Sequence, residues 1–270
     1  MGIARTTAIP LLLESKRAPF YGTVLQLGRQ EIYFGIDELR QWAGAVGGTL
    51  SETIPPRFVT NQYLPGKQVI DDETFFRSLG CGQVHSCDAS LFEKATYQAD
   101  LNQPVPAELH NCADFIFDGG TLEHVFNVPG VLRNIHSMLR TGGRIIHVLP
   151  VFNYVDHGFY NFSPTLFADY YAANRYRIEA QYIIAHTTDS ASDAALFAYV
   201  PGCMDHLSVG GITPERFGKY NLLAVFFVAT KTPESVSDVI PQQGFYTQVW
   251  QGNAPGSRGK PEQFQFLGLI

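Results

Sequence analysis

Ala113-Asp-Phe-Ile-Phe-Asp-Gly-Gly-Thr-Leu-Glu-His-Val-Phe-Asn-Val-Pro-Gly-Val-Leu-Arg-Asn-Ile-His-Ser-Met-Leu-Arg-Thr-Gly-Gly-Arg-Ile-Ile-His-Val-Leu-Pro150 carries the reading of the fold. The apolar run from Ala113 to Phe117 is a buried strand that stops at Asp118. Asn127 is placed to cap a helix and Pro129 suits its first turn. Val131, Leu132, Ile135, Met138 and Leu139 then recur at helical spacing, with Arg133 and Arg140 off that stripe. Gly142-Gly143 closes the helix, and Arg144 to Leu149 forms the next strand, stopped by Pro150. Strand, turn, helix and strand in this order are one unit of a parallel sheet.

The same alternation extends in both directions. Upstream, Thr23 to Leu27 reads as a strand ended by Gly28, followed by a helix over Ile36 to Ala45. Residues 49–70, with Pro55-Pro56 and Pro65-Gly66, read as a long loop of the kind that serves as a lid. A helix over Glu73 to Leu79 leads to a strand Gln83 to Cys87 stopping at Asp88, and a short strand Thr96 to Ala99 stops at Asp100. Downstream come a helix Pro164 to Ala173 and a strand Glu179 to Ala185. Ala195 to Val200 is a strand or a lid segment, and Leu222 to Thr230 is an apolar, β-branched strand covered on both faces. The tail from Lys231, rich in Pro, Gly, Gln and Ser, reads as surface wrapping. The predicted fold is α/β, doubly wound, with helices on both faces of a mostly parallel sheet. Three successive strands end on an aspartate. Aspartate favours turns after strands, but open sheets of this kind also bind ligands at those strand ends.

The segments Ala113 to Val125 and Leu132 to Arg144 resemble the class I S-adenosylmethionine-dependent methyltransferases, in particular the branch with strand, Glu-His, helix, Gly-Gly and strand. The resemblance covers roughly residues 20–232 and is most specific in 113–149. It implies a Rossmann-like sheet of seven strands, the last one, Leu222 to Thr230, antiparallel. It implies one domain over 1–232 with lid insertions near 49–70 and 187–220, and a C-terminal extension, 233–270, packed on it. By position in the family, Asp88 would take the ribose diol of S-adenosylmethionine, Asp100 and Leu101 would meet adenine, and Asp118 and Gly119 would line the methionine and sulfonium, with Glu123 beside them. The first turn departs from the family's acidic residue followed by Gly-x-Gly-x-Gly. Gln26 stands for the acid, and of Gly28-Arg29-Gln30 only Gly28 is a glycine. Gly28, Arg29 and Gln30 would still face the cofactor, in an altered working loop or in a protein that has lost the cofactor.

Transfer of a methyl group to a hydroxyl needs a base. His157, in the loop after Pro150, is the first candidate because imidazole titrates near neutrality. Asp156 beside it is a candidate orienter, His124 competes as base, and Tyr160 lies in the same loop. A turn histidine that merely bonds the backbone is the alternative for both histidines. The aromatics from Phe159 to Tyr171 divide between core and substrate wall. His85 and His147 fall inside strands. His110, His136, His186 and His206 show no ligand spacing, so no metal is assigned. Cys81, Cys87, Cys112 and Cys203 match no metal motif.

The chain has 270 residues, 19 Lys+Arg against 25 Asp+Glu and a net charge of −6, which argues against nucleic acid as partner. No apolar run is long enough to span a bilayer, and the N-terminal run broken by Pro10 makes a poor signal peptide. The expected setting is cytoplasmic, with a small-molecule or glycan methyl acceptor. Two other functions stay open: a non-catalytic, partner-binding member of the same fold, and a nicotinamide oxidoreductase, for which no G-x-G-x-x-G follows any strand.

Overall fold

The computed structural model describes residues 2–51, 55–189, 192–199, 218–252 and 264–270. In chain order the elements are β1 (Gly2–Ile3), α1 (Arg5–Arg17), β2 (Thr23–Leu27), β3 (Glu31–Ile32), α2 (Ile36–Val46), β4 (Phe58–Thr60), β5 (Gln68–Ile70), α3 (Asp72–Ser78), β6 (Gln83–Asp88), β7 (Tyr97–Gln98), β8 (Ala113–Asp118), α4 (Val128–Met138), β9 (Leu139–Phe152), α5 (Pro164–Ala173), β10 (Arg177–His186), β11 (Ala195–Tyr199), β12 (Leu222–Thr230), α6 (Gly244–Trp250) and β13 (Phe264–Leu269). The main sheet runs β7-β6-β2-β8-β9-β12-β10-β11-β13. Its first five strands are parallel, and β12 is inserted antiparallel between β9 and β10. This is an α/β, doubly wound, Rossmann-like arrangement with helices on both faces of the sheet.

Alternation along each strand builds two cores. Leu25, Leu27, Ile116, Ile145, Val225 and Phe227 pack with α4 and α5 on one face. Val24, Phe115, Phe117, Ile146, Phe226 and Val228 pack with α1, α2 and α3 on the other. Successive side chains of a strand point to opposite faces, so a strand covered on both sides is apolar throughout. The capping residues act as their chemistry dictates: the Asn127 side chain accepts the Gly130 N–H at 3.1 Å, and Asp71 accepts that of Thr74 at 2.8 Å.

Several expectations are corrected. Among the described residues the sheet has nine strands rather than seven, because β11 pairs antiparallel with β10, and β13, from the tail, pairs with β11. The 49–70 stretch holds an antiparallel pair, β4 and β5, tied down by the Ile70 N–H to the Phe34 carbonyl and by the Asn61 amide to the Ile32 carbonyl. The helix before Gly142-Gly143 ends at Met138, and β9 begins at Leu139 and runs through Pro150 to Phe152. The register of β12 against β9 shifts between Leu223 and Ala224, beside Pro150, which has no N–H to donate. Pro10 lies inside α1, an element the sequence left unassigned. Burial of Ile9, Leu11 and Leu12 offsets the hydrogen bond lost at the proline. Below α1, the buried Glu14–Arg144 ion pair fastens this helix to β9.

Among the described residues no helix is long and apolar enough to cross a membrane. Cys81, Cys87 and Cys112 are free thiols, and Cys203 lies outside the described residues.

Candidate active site

Asp118 closes β8, but it points inward. Its Oδ2 meets His147 Nδ1 at 2.7 Å, and His147 Nε2 meets the Tyr171 hydroxyl at 2.8 Å, all fully buried. Its Oδ1 accepts the N–H groups of Thr121 and Leu122, at 3.1 and 3.3 Å. These bonds fold the chain into a 3-10 turn over Leu122–His124. The Thr121 hydroxyl donates to the Leu27 carbonyl, joining the ends of β2 and β8. The aspartate expected against the methionine moiety is therefore enclosed, one oxygen holding the turn that presents Glu123 and His124 and the other engaged with His147.

The loop after β9 folds onto that turn. The Phe159 N–H donates to the Glu123 carbonyl at 2.7 Å and the Phe162 N–H to the Pro150 carbonyl at 2.7 Å. Gly158 makes this possible: its φ is +80°, and a Cβ there would lie 2.8 Å from the Glu123 carbonyl oxygen. His157 Nε2 is thereby brought 3.7 Å from Glu123 Oε1, and His124 Nε2 lies 3.9 Å from the same oxygen. The two imidazole centroids are 5.2 Å apart. The Glu123 side chain is 1% exposed, and its Oε2 is buried with no hydrogen-bond partner among the described residues. Burial, and then the charge of Asp118, push its carboxyl up to about 8. Burial and the neighbouring His157 lower His124.

Asp156 is exposed, so the carboxylate facing His157 is Glu123. The Tyr160 hydroxyl donates to the Phe126 carbonyl at 2.9 Å and its ring stacks on Phe162, a role in holding the loop. Of the aromatics weighed as a substrate wall, Phe162, Phe167, Tyr170 and Tyr171 are buried in the core, and Phe159 is exposed.

Glu123, His124 and His157 line a cavity of about 710 Å³ at the carboxyl ends of β8 and β9. Gly119 and Gly120 form part of its wall, and Gly2, Ala4, Thr6 and Thr7 close it from the N-terminal segment. Tyr154 and His186, also in the lining, were not singled out from the sequence. The Tyr154 hydroxyl lies 2.6 Å from His186 Nε2, whose Nδ1 meets the Thr187 carbonyl at 2.8 Å. That carbonyl can only accept, so His186 Nδ1 carries the proton and Nε2 accepts from Tyr154. No motif marks such a pair, since its members come from the loop after β9 and the end of β10. Of the anticipated lids, Leu64 and Lys67 line a second cavity of about 320 Å³ instead. Thr187, Thr188 and Asp189 line the large one, and residues 190–191 and 200–217 lie outside the described set.

The residues expected around the nucleoside sit at the ends of β2, β6 and β7. Asp88 is half-buried; its Oδ1 accepts the Ser90 N–H at 3.0 Å, and Oδ2 has no hydrogen-bond partner among the described residues. Asp100 is exposed, its Oδ1 taken by the backbone and side-chain amides of Asn102, both at 2.9 Å. The Leu101 side chain is buried in the core. At the first turn Gly28 has φ +67°. Arg29 pairs with Asp72 at 3.0 and 3.2 Å and reaches the Lys94 carbonyl at 3.3 Å. Asp72 also accepts the Gln26 amide at 2.8 Å, supplying next to β2 the carboxylate that Gln26 lacks. The Gln30 side chain folds back on the Leu27 and Gly28 carbonyls, and a Cβ on Gly119 would come 2.9 Å from its Oε1. A cationic nucleoside with a ribose diol is thus met by one available carboxylate oxygen on Asp88. The Arg29 charge that would oppose it is neutralised by Asp72, and the glycine turn 119–120 opens on the cavity. The donor set fits such a group at these positions.

No protein-family model matches the chain, and no curated protein matches it. Solved structures do. The methyltransferase bound to the Trm112 activator of Haloferax volcanii is 12% identical, with TM-score 0.46, over 84% of this chain and 89% of that one. The YcgJ protein of Bacillus subtilis is 11% identical, with TM-score 0.41, over 83% and 98%. The Burkholderia thailandensis 1,6-didemethyltoxoflavin-N1-methyltransferase, solved with S-adenosylhomocysteine, is 13% identical, with TM-score 0.39, over 83% and 76%. At such identities the likeness is one of fold.

Proposed function

We propose that the chain is an S-adenosylmethionine-dependent methyltransferase acting on a hydroxyl of a small molecule or glycan. One observation carries this reading: the two-histidine, one-carboxylate cluster faces a cavity at the carboxyl ends of parallel strands, on the same side as Asp88. The bound cofactor supplies an activated methyl group. Asp88 accepts hydrogen bonds from its ribose hydroxyls, and the Gly119-Gly120 backbone lets it approach the cavity closely. His157 takes the proton of the acceptor hydroxyl, with His124 as the competing base. Tyr160 acts through the loop it holds.

A second reading, a member of the fold that binds partners rather than the cofactor, is favoured by Gln30 packed beneath the first turn against Gly119. Calorimetry separates the two. Saturable S-adenosylmethionine binding, weakened on the order of tenfold or more in Asp88→Ala, supports catalysis, since loss of charge-assisted hydrogen bonds costs about 1.5–3 kcal/mol. Absence of binding at saturating ligand supports the second reading.

A further inference from the structure

We propose that Glu123, His124 and His157 bind one divalent transition-metal ion that opens onto the 710 Å³ cavity. Three kinds of observation converge. First, one ligand atom from each residue lies within 4.8 Å of the others, and the three come from two loops clamped together by the Phe159–Glu123 backbone bond. Second, both imidazole Nε2 atoms face Glu123 Oε1 at 3.7 and 3.9 Å, too far for hydrogen bonds and convergent on the same oxygen. Ligands about 2.1 Å from a shared ion in a tetrahedral array lie about 3.4 Å apart, so each imidazole needs to close on the carboxylate by a few tenths of an ångström, and the two on each other from a separation of no more than 4.8 Å. Both are partly exposed and free to do so, while the carboxylate is fixed at the base. Third, the Glu123 carboxylate is buried and its second oxygen, Oε2, has no hydrogen-bond partner among the described residues, so its charged form carries a desolvation cost that a cation held by this carboxylate would offset.

Two imidazoles and one carboxylate suit zinc, manganese, iron or cobalt better than magnesium or calcium, which prefer all-oxygen sites. Three protein ligands leave coordination positions open toward the cavity. With the ion bound, His157 and His124 would serve as its ligands rather than as the base, and the ion would take over that part by raising the acidity of a hydroxyl seated there. This assignment rests on the methyl-transfer reading for its substrate class: the acceptor presents a hydroxyl, or two neighbouring oxygens, able to occupy those positions. The ion binding itself does not need that reading.

The full-length chain, stripped with a chelator and dialysed, is titrated with Co²⁺ and followed by its visible absorption, alongside calorimetry with S-adenosylmethionine. One Co²⁺ per chain is expected, with affinity lowered at least about tenfold in Glu123→Gln and in His157→Ala. His157 is exposed, so its replacement tests the site without disturbing the core, and circular dichroism verifies the fold of both variants. Absence of Co²⁺ uptake, or equal uptake by wild type and His157→Ala, overturns the metal site. Co²⁺ uptake without S-adenosylmethionine binding leaves the metal site standing and removes the methyl-transfer reading; the reverse result does the opposite.

Discussion

Asp118 shows how one side chain at a strand end decides what the next turn can do. An aspartate there can face the ligand or turn inward, and residue type does not distinguish the two. Here it turns inward because His147, one strand away on β9, offers Nδ1 at 2.7 Å, and because two backbone N–H groups need an acceptor. Asp118→Ala leaves those groups unsatisfied in a fully buried setting. The expected cost is about 3–5 kcal/mol, as for a broken buried polar pair, with loss of the Leu122–His124 turn. Asp118→Asn keeps an acceptor for the turn and can donate to the other His147 tautomer, so its expected cost is less than half as large. Urea denaturation of both variants measures this; equal costs would show that the carboxylate does not act as described. The neighbouring residues were legible to a different degree. Glu123, His124 and His157 were visible as types at strand ends, but their convergence was not, since it depends on Gly158 letting one loop lie on another.

At the scale of elements, what could be read was what has a local cause. The helix Pro164–Ala173 has Pro at its first position, and Leu222–Thr230 is an unbroken apolar run, so both were found where expected. The misses have tertiary causes. The helix α1 was obscured by Pro10, and the 58–70 hairpin by its prolines and by bonds to the distant Ile32 and Phe34. Anchoring of α1 is itself non-local. Glu14 lies 2% exposed against Arg144, whose guanidinium also donates to the Ala18 and Pro19 carbonyls and sits 4.6 Å over the Phe115 ring. Glu14→Ala strands that guanidinium in a buried site, with an expected cost of about 3–5 kcal/mol. Because Gly2 to Thr7 wall the cavity and continue into α1, hydrogen exchange of this segment should accelerate in the same variant. An unchanged melting temperature and unchanged exchange would show that the pair does not anchor the helix.

Across the whole molecule, the strand order separates the two regions of the proposed site. Strand β2 lies between β6 and β8, so the ends of β6 and β8 are two strand spacings apart, about 10 Å. Asp88 belongs to one region, and the Glu123, His124 and His157 cluster to the other, with Gly119-Gly120 at the boundary. The strands and helices of the parallel core were legible because each carries its own periodicity, whereas the antiparallel direction of the inserted strand was implied by the family resemblance. Of the two added strands, β11 had been read as a strand or a lid segment and pairs with its neighbour β10, whereas β13 was not legible, because it lies in the polar tail and pairs only with the distant β11. Nor was the cavity, whose walls come from the N-terminal segment, two strand-end loops and the end of β10. The separation predicts distinct kinetic signatures. Asp88→Ala should raise the dissociation constant for S-adenosylmethionine and leave kcat near wild type once the cofactor saturates, since it touches the part of the ligand that does not react. His157→Ala should lower kcat by about 10²–10⁴-fold, the range for loss of a general base, with cofactor affinity unchanged. Sites this far apart without shared partners act additively, so the double variant should show the product of the two effects in kcat/KM to within a factor of about two. A His157→Ala variant that loses cofactor affinity as well, or a double variant no worse than either single one, would mean that the two regions form one coupled site.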